Sequence, residues 1–244
     1  MVTVRQGNGD GRGTNGTAVP ASAGGPGDIP RRLCALAVEL LPVTSASVSL
    51  HDEDMPVRLC ESGAQAAYVT DIQATLGEGP CQSAARSGQA VYACDLTEGR
   101  DAERWPVFAE EATEAGVRAT YSLPLGDDET CVGTLDLYRD TPGALTAAEQ
   151  HTARALAEAV TTALMALARN TEELDQESGR ADWLDTLVEG HDCVYQAVGM
   201  VMAQTDASAP ESLALLRARA FADGRTVTEA ARAVVAHELR FPPE

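Results

Sequence analysis

Six cysteines, four histidines and eighteen arginines are the residues of this 244-residue chain with most chemistry to offer. Their spacing decides what each can do. Cys34, Cys60, Cys81, Cys94, Cys131 and Cys193 form no Cys-x-x-Cys pair, and none stands at zinc-ligand spacing from His51, His151, His191 or His237. No metal centre is expected. The plain reading of all six cysteines is that of small buried hydrophobes in a reducing compartment. Cys81 is the most tempting of them. It follows Pro80 at the start of a helical segment, where the partial positive charge of a helix N-terminus favours a thiolate. A ligand or redox role, haem binding included, therefore stands beside the packed reading at Cys81. No Ser-His-Asp set and no paired carboxylates can be assembled, so no catalytic residue is assigned and an enzyme is not expected. The acidic pair of a phosphate receiver is also missing, and no cofactor can be named.

These residues are carried by two kinds of pattern. Ile29 to Leu41 has helical spacing and ends at Pro42. Ser45 to His51 alternates as a strand, and Val57 to Cys60 is its hairpin partner across a charged turn, His51 to Asp54. Ala64 to Leu76 reads as a helix, Gly77 to Gly79 breaks it, and Pro80 to Ser87 starts another with proline in the first turn. Ala90 to Cys94 is a short strand and Trp105 to Ala115 a helix. Ala119 to Leu125 and Thr130 to Tyr138 both alternate, which makes the clearest hairpin in the chain. From Thr146 onward the period is helical. Thr146-Ala-Ala-Glu149 is a capping box, in which hydroxyl and carboxylate exchange bonds with the free N–H groups of a helix start. The stripe Ala153, Leu156, Ala157, Val160, Leu164, Leu167, Leu174 is suited to a partner helix. It resumes at Trp183, Leu184, Leu187, Val188, His191, Val194 and Tyr195 and runs on to Met202.

Two further capping boxes, Ser208-Ala-Pro-Glu211 and Thr226-Val-Thr-Glu229, open two more helices, the last running from Thr226 to Leu239. The fold class is thus α+β. A leader without apolar period, residues 1–28 with eight glycines, is expected to be disordered. A domain of mixed helices and about five antiparallel strands follows over residues 29–170, with the helix from 146 as its connector. A polar linker spans 171–182, and a three-helix module spans 183–241.

Within that module, Ala197 and Gly199 are offset by two and cannot share one narrow helix face. One can allow close helix packing while the other stays open to an approaching ligand. Three blocks lie at defined spacing: Gln196-Ala-Val-Gly-Met-Val-Met202, then Glu211 to Arg217, then Phe221-Ala-Asp-Gly-Arg-Thr226 with Ala230-Ala-Arg-Ala-Val-Val235. Together they resemble the ANTAR domain of transcription antiterminators. The resemblance implies binding to RNA hairpin loops of nascent transcripts and suppression of termination. Ala197 and Gly199 match the family's small pair, Arg225 its basic residue before the third helix, and Ala231 its alanine. Val198 stands where many members carry Lys, which leaves one phosphate contact fewer. Arg217, Arg219, Arg225 and Arg232 are the candidate contacts to phosphate or base, because guanidinium forks suit both. Gln196, Thr226 and Tyr195 join them, since single-stranded loops are read by stacking and base-edge bonds. The bland alternative for each arginine is a solvated surface charge. Met200 and Met202 are expected in the core.

Residues 30–170 resemble a GAF domain, on Leu76-Gly-Glu-Gly-Pro-Cys-Gln82, the strand Ala90 to Asp95, and the hairpin from Ser122-Leu-Pro-Leu125 to Val132-Gly-Thr-Leu-Asp-Leu-Tyr138. That implies a central antiparallel sheet between helices and a small-molecule ligand on one face.

Charge bounds what such a chain can bind. The formal net charge is -19, every basic residue is Arg, and residues 191–244 carry five Arg against seven acids. The acidic load sits in front of residue 191. Such a chain has little general attraction for nucleic acid, so RNA affinity must come from a few specific contacts. No stretch of 18 uncharged apolar residues exists. Membrane insertion is therefore not expected, and the location expected is the cytoplasm. The leading expectation is a GAF sensor that controls an ANTAR module, in a homodimer paired along the stripe from Ala153 to Met202. The alternative is a GAF dimer that binds a metabolite while its helical tail contacts a protein.

Overall fold

Strand alternation runs as the sequence predicts, but its polar half does not face water. A computed structural model describes residues 29–52, 55–127, 130–174 and 182–242, with side chains except at 52, 167–174 and 182–191. The expected leader and residues 175–181 of the expected linker lie outside the described residues. So do the side chains of the stripe positions Leu167, Leu174, Trp183, Leu184, Leu187, Val188 and His191.

Five antiparallel strands form one sheet: β1 (Ser45–Asp52), β2 (Met55–Glu61), β3 (Val91–Ala93), β4 (Ala119–Gly126) and β5 (Cys131–Arg139), in the order β2-β1-β5-β4-β3. On one face Ala46, Val48, Ala119, Tyr121, Leu123, Leu125, Leu135 and Leu137 are buried. They are covered by α1 (Ile29–Leu40) and α6 (Ala147–Leu174). Over the opposite face lie α2 (Ala64–Leu76) and α3 (Pro80–Ser87), with α4 (Gly99–Arg104) and α5 (Pro106–Glu114) beyond. Gly77, at φ +69°, ends α2 by returning its N–H to the Gln73 carbonyl at 3.0 Å, a conformation glycine adopts without a Cβ penalty. The short α4 was not expected. The Asp101 carboxylate holds it by accepting the Cys94 N–H at 2.7 Å, a bond that spacing alone does not announce.

The capping box at Thr146 forms as read, with the Thr146 N–H donating to Glu149 at 2.6 Å. The stripe it introduces does other work than expected. Ala153, Leu156, Ala157, Val160 and Leu164 are buried against α1 and the sheet of their own domain, so these five positions are taken up inside the chain. Helix α6 continues to Leu174, through the first part of the expected linker.

The tail is a three-helix module of α7 (Asp182–Thr205), α8 (Ala209–Ala222) and α9 (Val227–Val235). Val194, Ala197, Val198, Val201, Leu216, Ala220, Val227, Ala230, Ala231 and Val234 make its core, which takes Val194 from the second half of the stripe. Of the stripe positions whose side chains are described, Ala153, Leu156, Ala157, Val160, Leu164 and Val194 are buried within the chain itself, while Tyr195 and Met202 are exposed. Both capping boxes form: Ser208 donates its N–H to Glu211 at 2.9 Å and Thr226 to Glu229 at 2.8 Å. Helix α9 is shorter than read. It stops at Val235 because His237 turns to φ +62°. Glu238 and Leu239 then return their N–H groups to the Ala233 carbonyl, at 2.8 and 3.0 Å. Leu239 is buried all the same, past the helix end. Met200 is half-buried and packs against this core, while Met202 is exposed, against the core position expected of it.

Gly133 on β5 shows how tightly the sheet is closed. A Cβ there would lie 2.2 Å from the Ser49 carbonyl oxygen of β1. Gly133→Ala is expected to lower stability by about 1–3 kcal/mol, the range for overpacking a filled site. The check is a lower denaturation midpoint with an unchanged slope.

Candidate functional site

Residues proposed from the sequence for contact with a ligand fall on three surfaces of the tail. The first is the outer face of α7, where Asp192, Tyr195, Gln196, Gly199, Met202 and Ala203 are exposed at helical spacing. Ala197 turns the other way and is fully buried against α8 and α9. A Cβ on Gly199 would meet nothing within 4 Å, so no packing among the described residues demands glycine there. Second comes an open groove of about 570 Å³ lined by Gly224, Arg225, Glu229, Arg232, Ala233, Ala236 and Glu238. Arg225 and Arg232 are exposed there, and among the described residues neither side chain has a hydrogen-bond or ion-pair partner. Arg232 also reaches the field of Cys193 on α7, whose thiol burial pushes up and the guanidinium draws back. The remaining candidates are already engaged. Arg219 pairs with Asp223 at 2.8 Å. Thr226 spends its hydroxyl on the Glu229 cap. On the third surface, Arg217 turns to the front domain, where its Nε–H donates to the Ala74 carbonyl at 3.0 Å.

The front domain holds a second constellation, which the sequence reading did not single out. Cross-strand rows Ser45–Tyr138–Thr120, Ser47–Asp136–Ser122 and Ser49–Thr134 stand on one face of the sheet. All are buried. Ser47, Thr70 of α2 and the Tyr138 hydroxyl form a triangle at 2.8, 3.1 and 3.0 Å. Ser122 donates to one Asp136 oxygen and Thr134 to the other, the latter at 2.9 Å. The Gln73 side chain of α2 accepts the Cys81 N–H at 2.9 Å. Three buried polar atoms of this layer have no partner among the described residues: Ser49 Oγ, Thr120 Oγ1 and Gln73 Nε2. Leaving a buried donor or acceptor unsatisfied costs about 1–3 kcal/mol, and atoms of this kind suit a small polar ligand.

A GAF domain model matches residues 26–165, and an ANTAR domain model matches residues 184–235. The chain belongs to the GAF family and carries an ANTAR domain behind it. No curated protein matches. Among solved structures, the chain is 21% identical to a GAF3 domain from Synechocystis in its photoproduct state, over 59% of this chain and 98% of that one, with a TM-score of 0.46. It is 18% identical to the free methionine-R-sulfoxide reductase of Neisseria meningitidis in complex with its substrate, over 59% and 80%, with a TM-score of 0.44. It is 12% identical to the GAF domain of a two-component sensor histidine kinase from Bacillus halodurans, over 59% and 96%, with a TM-score of 0.42.

Within the GAF domain, Cys81 does start a helix after a proline, but it is fully buried, and burial pushes its thiol well above the ordinary range. Desolvation works against the helix start at this thiol. The residues that the sequence reading missed did leave a signal. Alternate positions of β1, β4 and β5 are Ser and Thr with one Asp, where a solvated sheet face carries Lys, Glu or Arg. Short hydroxyl side chains can be buried when they bond to one another; long charged ones cannot.

Asp136 is the titrating member of the layer. Burial raises its carboxyl to about 6, against the opposing hydrogen bonds from Ser122 and Thr134. The folded protein thus binds this proton more tightly than the unfolded chain does. Its stability falls as pH rises from about 4 to 6, and the loss persists above that range. Asp136→Asn removes the charge and keeps an acceptor. The wild type is expected to lose on the order of 3 kcal/mol relative to the variant between pH 4 and 7. Parallel denaturation curves of both proteins across that range would show it, and parallel pH profiles would disprove it.

Proposed function

We propose that this protein is an RNA-binding regulator of transcription in the cytoplasm. Its ANTAR module grips hairpin loops of nascent transcripts and suppresses termination, and its GAF domain controls the module by taking a small polar molecule against the layer around Asp136. One observation carries the RNA half of this reading. Arg225 and Arg232 open into a single groove of the module with no side-chain partner among the described residues. An unpaired guanidinium is ready for a phosphate or a guanine edge. The second lining of the site is the open side of α7, where Gln196 and Gly199 let a nucleotide approach the helix closely and Tyr195 supplies a stacking ring. Glu229 and Glu238 line the same groove as the arginines. They hold down general phosphate attraction, so affinity depends on fit to the loop.

Among the described residues no helix is long and apolar enough to cross a membrane. The proposed site requires one ANTAR module, and pairing of two copies is not part of it.

Arg225→Ala tests the reading, because among the described residues the Arg225 side chain has no hydrogen-bond or ion-pair partner to lose. Binding to a hairpin-loop RNA is expected to weaken, and the slope of log affinity against log salt to flatten by about one counterion's worth. Gel shifts at several salt concentrations measure both. Unchanged affinity and slope would remove Arg225 from the interface.

A further inference from the structure

The ANTAR module does not hang free of the GAF domain. It is joined to the C-terminal end of α2 by a contact in which each partner completes the other's helix end. The last carbonyls of a helix have no donor within it, and its first N–H groups have no acceptor. At the end of α2, the Ala74 carbonyl is such a group, and Arg217 of α8 donates its Nε–H to it at 3.0 Å. The guanidinium also meets the negative end of the α2 dipole, and its Nη2 lies 3.8 Å from the Met55 sulfur. Gly77 leaves room for it, since a Cβ there would stand 2.7 Å from Arg217 Nη1. At the start of α9, the Val227 N–H is the matching orphan donor. The Thr75 hydroxyl of α2 accepts it at 3.0 Å in a buried position. Met55 and Ala74 of the GAF domain are buried in the same apolar cluster as the core of the ANTAR module.

We infer that this contact is an intramolecular latch that restrains RNA binding. The inference rests on the proposed RNA reading and adds a regulation to it. Arg217 sits in the second ANTAR block, and its guanidinium is held half-buried among Ala74, Gly77 and Met55, while Arg225 and Arg232 stand exposed. The start of α9, which positions Arg225 and Thr226, is fixed to α2 through Val227. The docked module therefore presents Arg225 and Arg232 but withholds Arg217. A loop that needs all three must undock the module first, and its apparent affinity falls with the fraction of molecules that are undocked.

The test breaks the latch from the GAF side, leaving every arginine in place. Thr75→Val removes the acceptor for Val227 while keeping side-chain volume and the branched shape. Ala74→Glu sets a bulky charge in the contact. Two quantities are read on the full-length protein: amide exchange at Val227, and affinity for a hairpin-loop RNA by gel shift. Val227 exchange is expected to rise in both variants. RNA affinity is expected to rise by about fivefold, the factor that one net hydrogen bond carries. Faster exchange with unchanged or weaker RNA binding would overturn the restraint while leaving the contact. Unchanged exchange in both variants would overturn the contact itself. Faster exchange with no RNA bound by any form would bring down the RNA reading, and the latch's role with it, though not the docking.

Discussion

The buried polar layer of the GAF sheet constrains the front domain more than any other feature. A sheet with one polar face ordinarily turns it to water, and this one covers it with α2 and α3. Each hydroxyl and carboxylate on it must then find a partner inside the protein or do without. Most succeed, through the Ser47–Thr70–Tyr138 triangle and the Ser122–Asp136–Thr134 clasp. Those without a partner mark where the fold alone does not meet its own chemistry. The same layer fixes the helices above it, since Thr70 and Gln73 are held by hydrogen bonds as well as by apolar packing.

Much of this architecture is legible in the sequence. Strand alternation, proline and glycine punctuation and three capping boxes act locally, over two to five residues, and local signals survive in a linear reading. The bounds of α2 and α3 follow from Gly63, Gly77, Gly79 and Gly88, all adjacent to the helices they limit. What the sequence hides is long-range. The apolar stripe of α6 looks the same whether it packs on a partner chain or on its own sheet, and only the tertiary fold shows the second. The loss of helix after Val235 depends on one left-handed residue, His237, which has no Gly or Asn to announce it. The burial of Cys81 depends on which side α3 turns to the sheet.

The ANTAR arginines divide for a similar reason. Spacing groups Arg217, Arg219, Arg225 and Arg232 as equals, because all four are exposed by type and near one another in sequence. Their partners make them unequal. Arg219 is neutralised by Asp223 one turn along the same helix, a pair visible in the sequence at positions i and i+4. Arg217 is claimed by a carbonyl 143 positions earlier, which no local pattern can reveal. The two that remain open are those nearest the start and outer side of the last helix.

Helix α2 gives the protein a short line of communication. Thr70 and Gln73 belong to the polar layer, and Ala74 and Thr75 belong to the contact with the ANTAR module. At about 1.5 Å of rise per residue, the whole set spans roughly 7.5 Å. In the proposed reading, a molecule that reorients Gln73 acts on the neighbour of Ala74, with no relay through the sheet or along the connecting helix. Input and output become two sides of one helical turn. A rotation of that turn too small to alter the outline of the GAF domain is then enough to misalign a carbonyl and a hydroxyl.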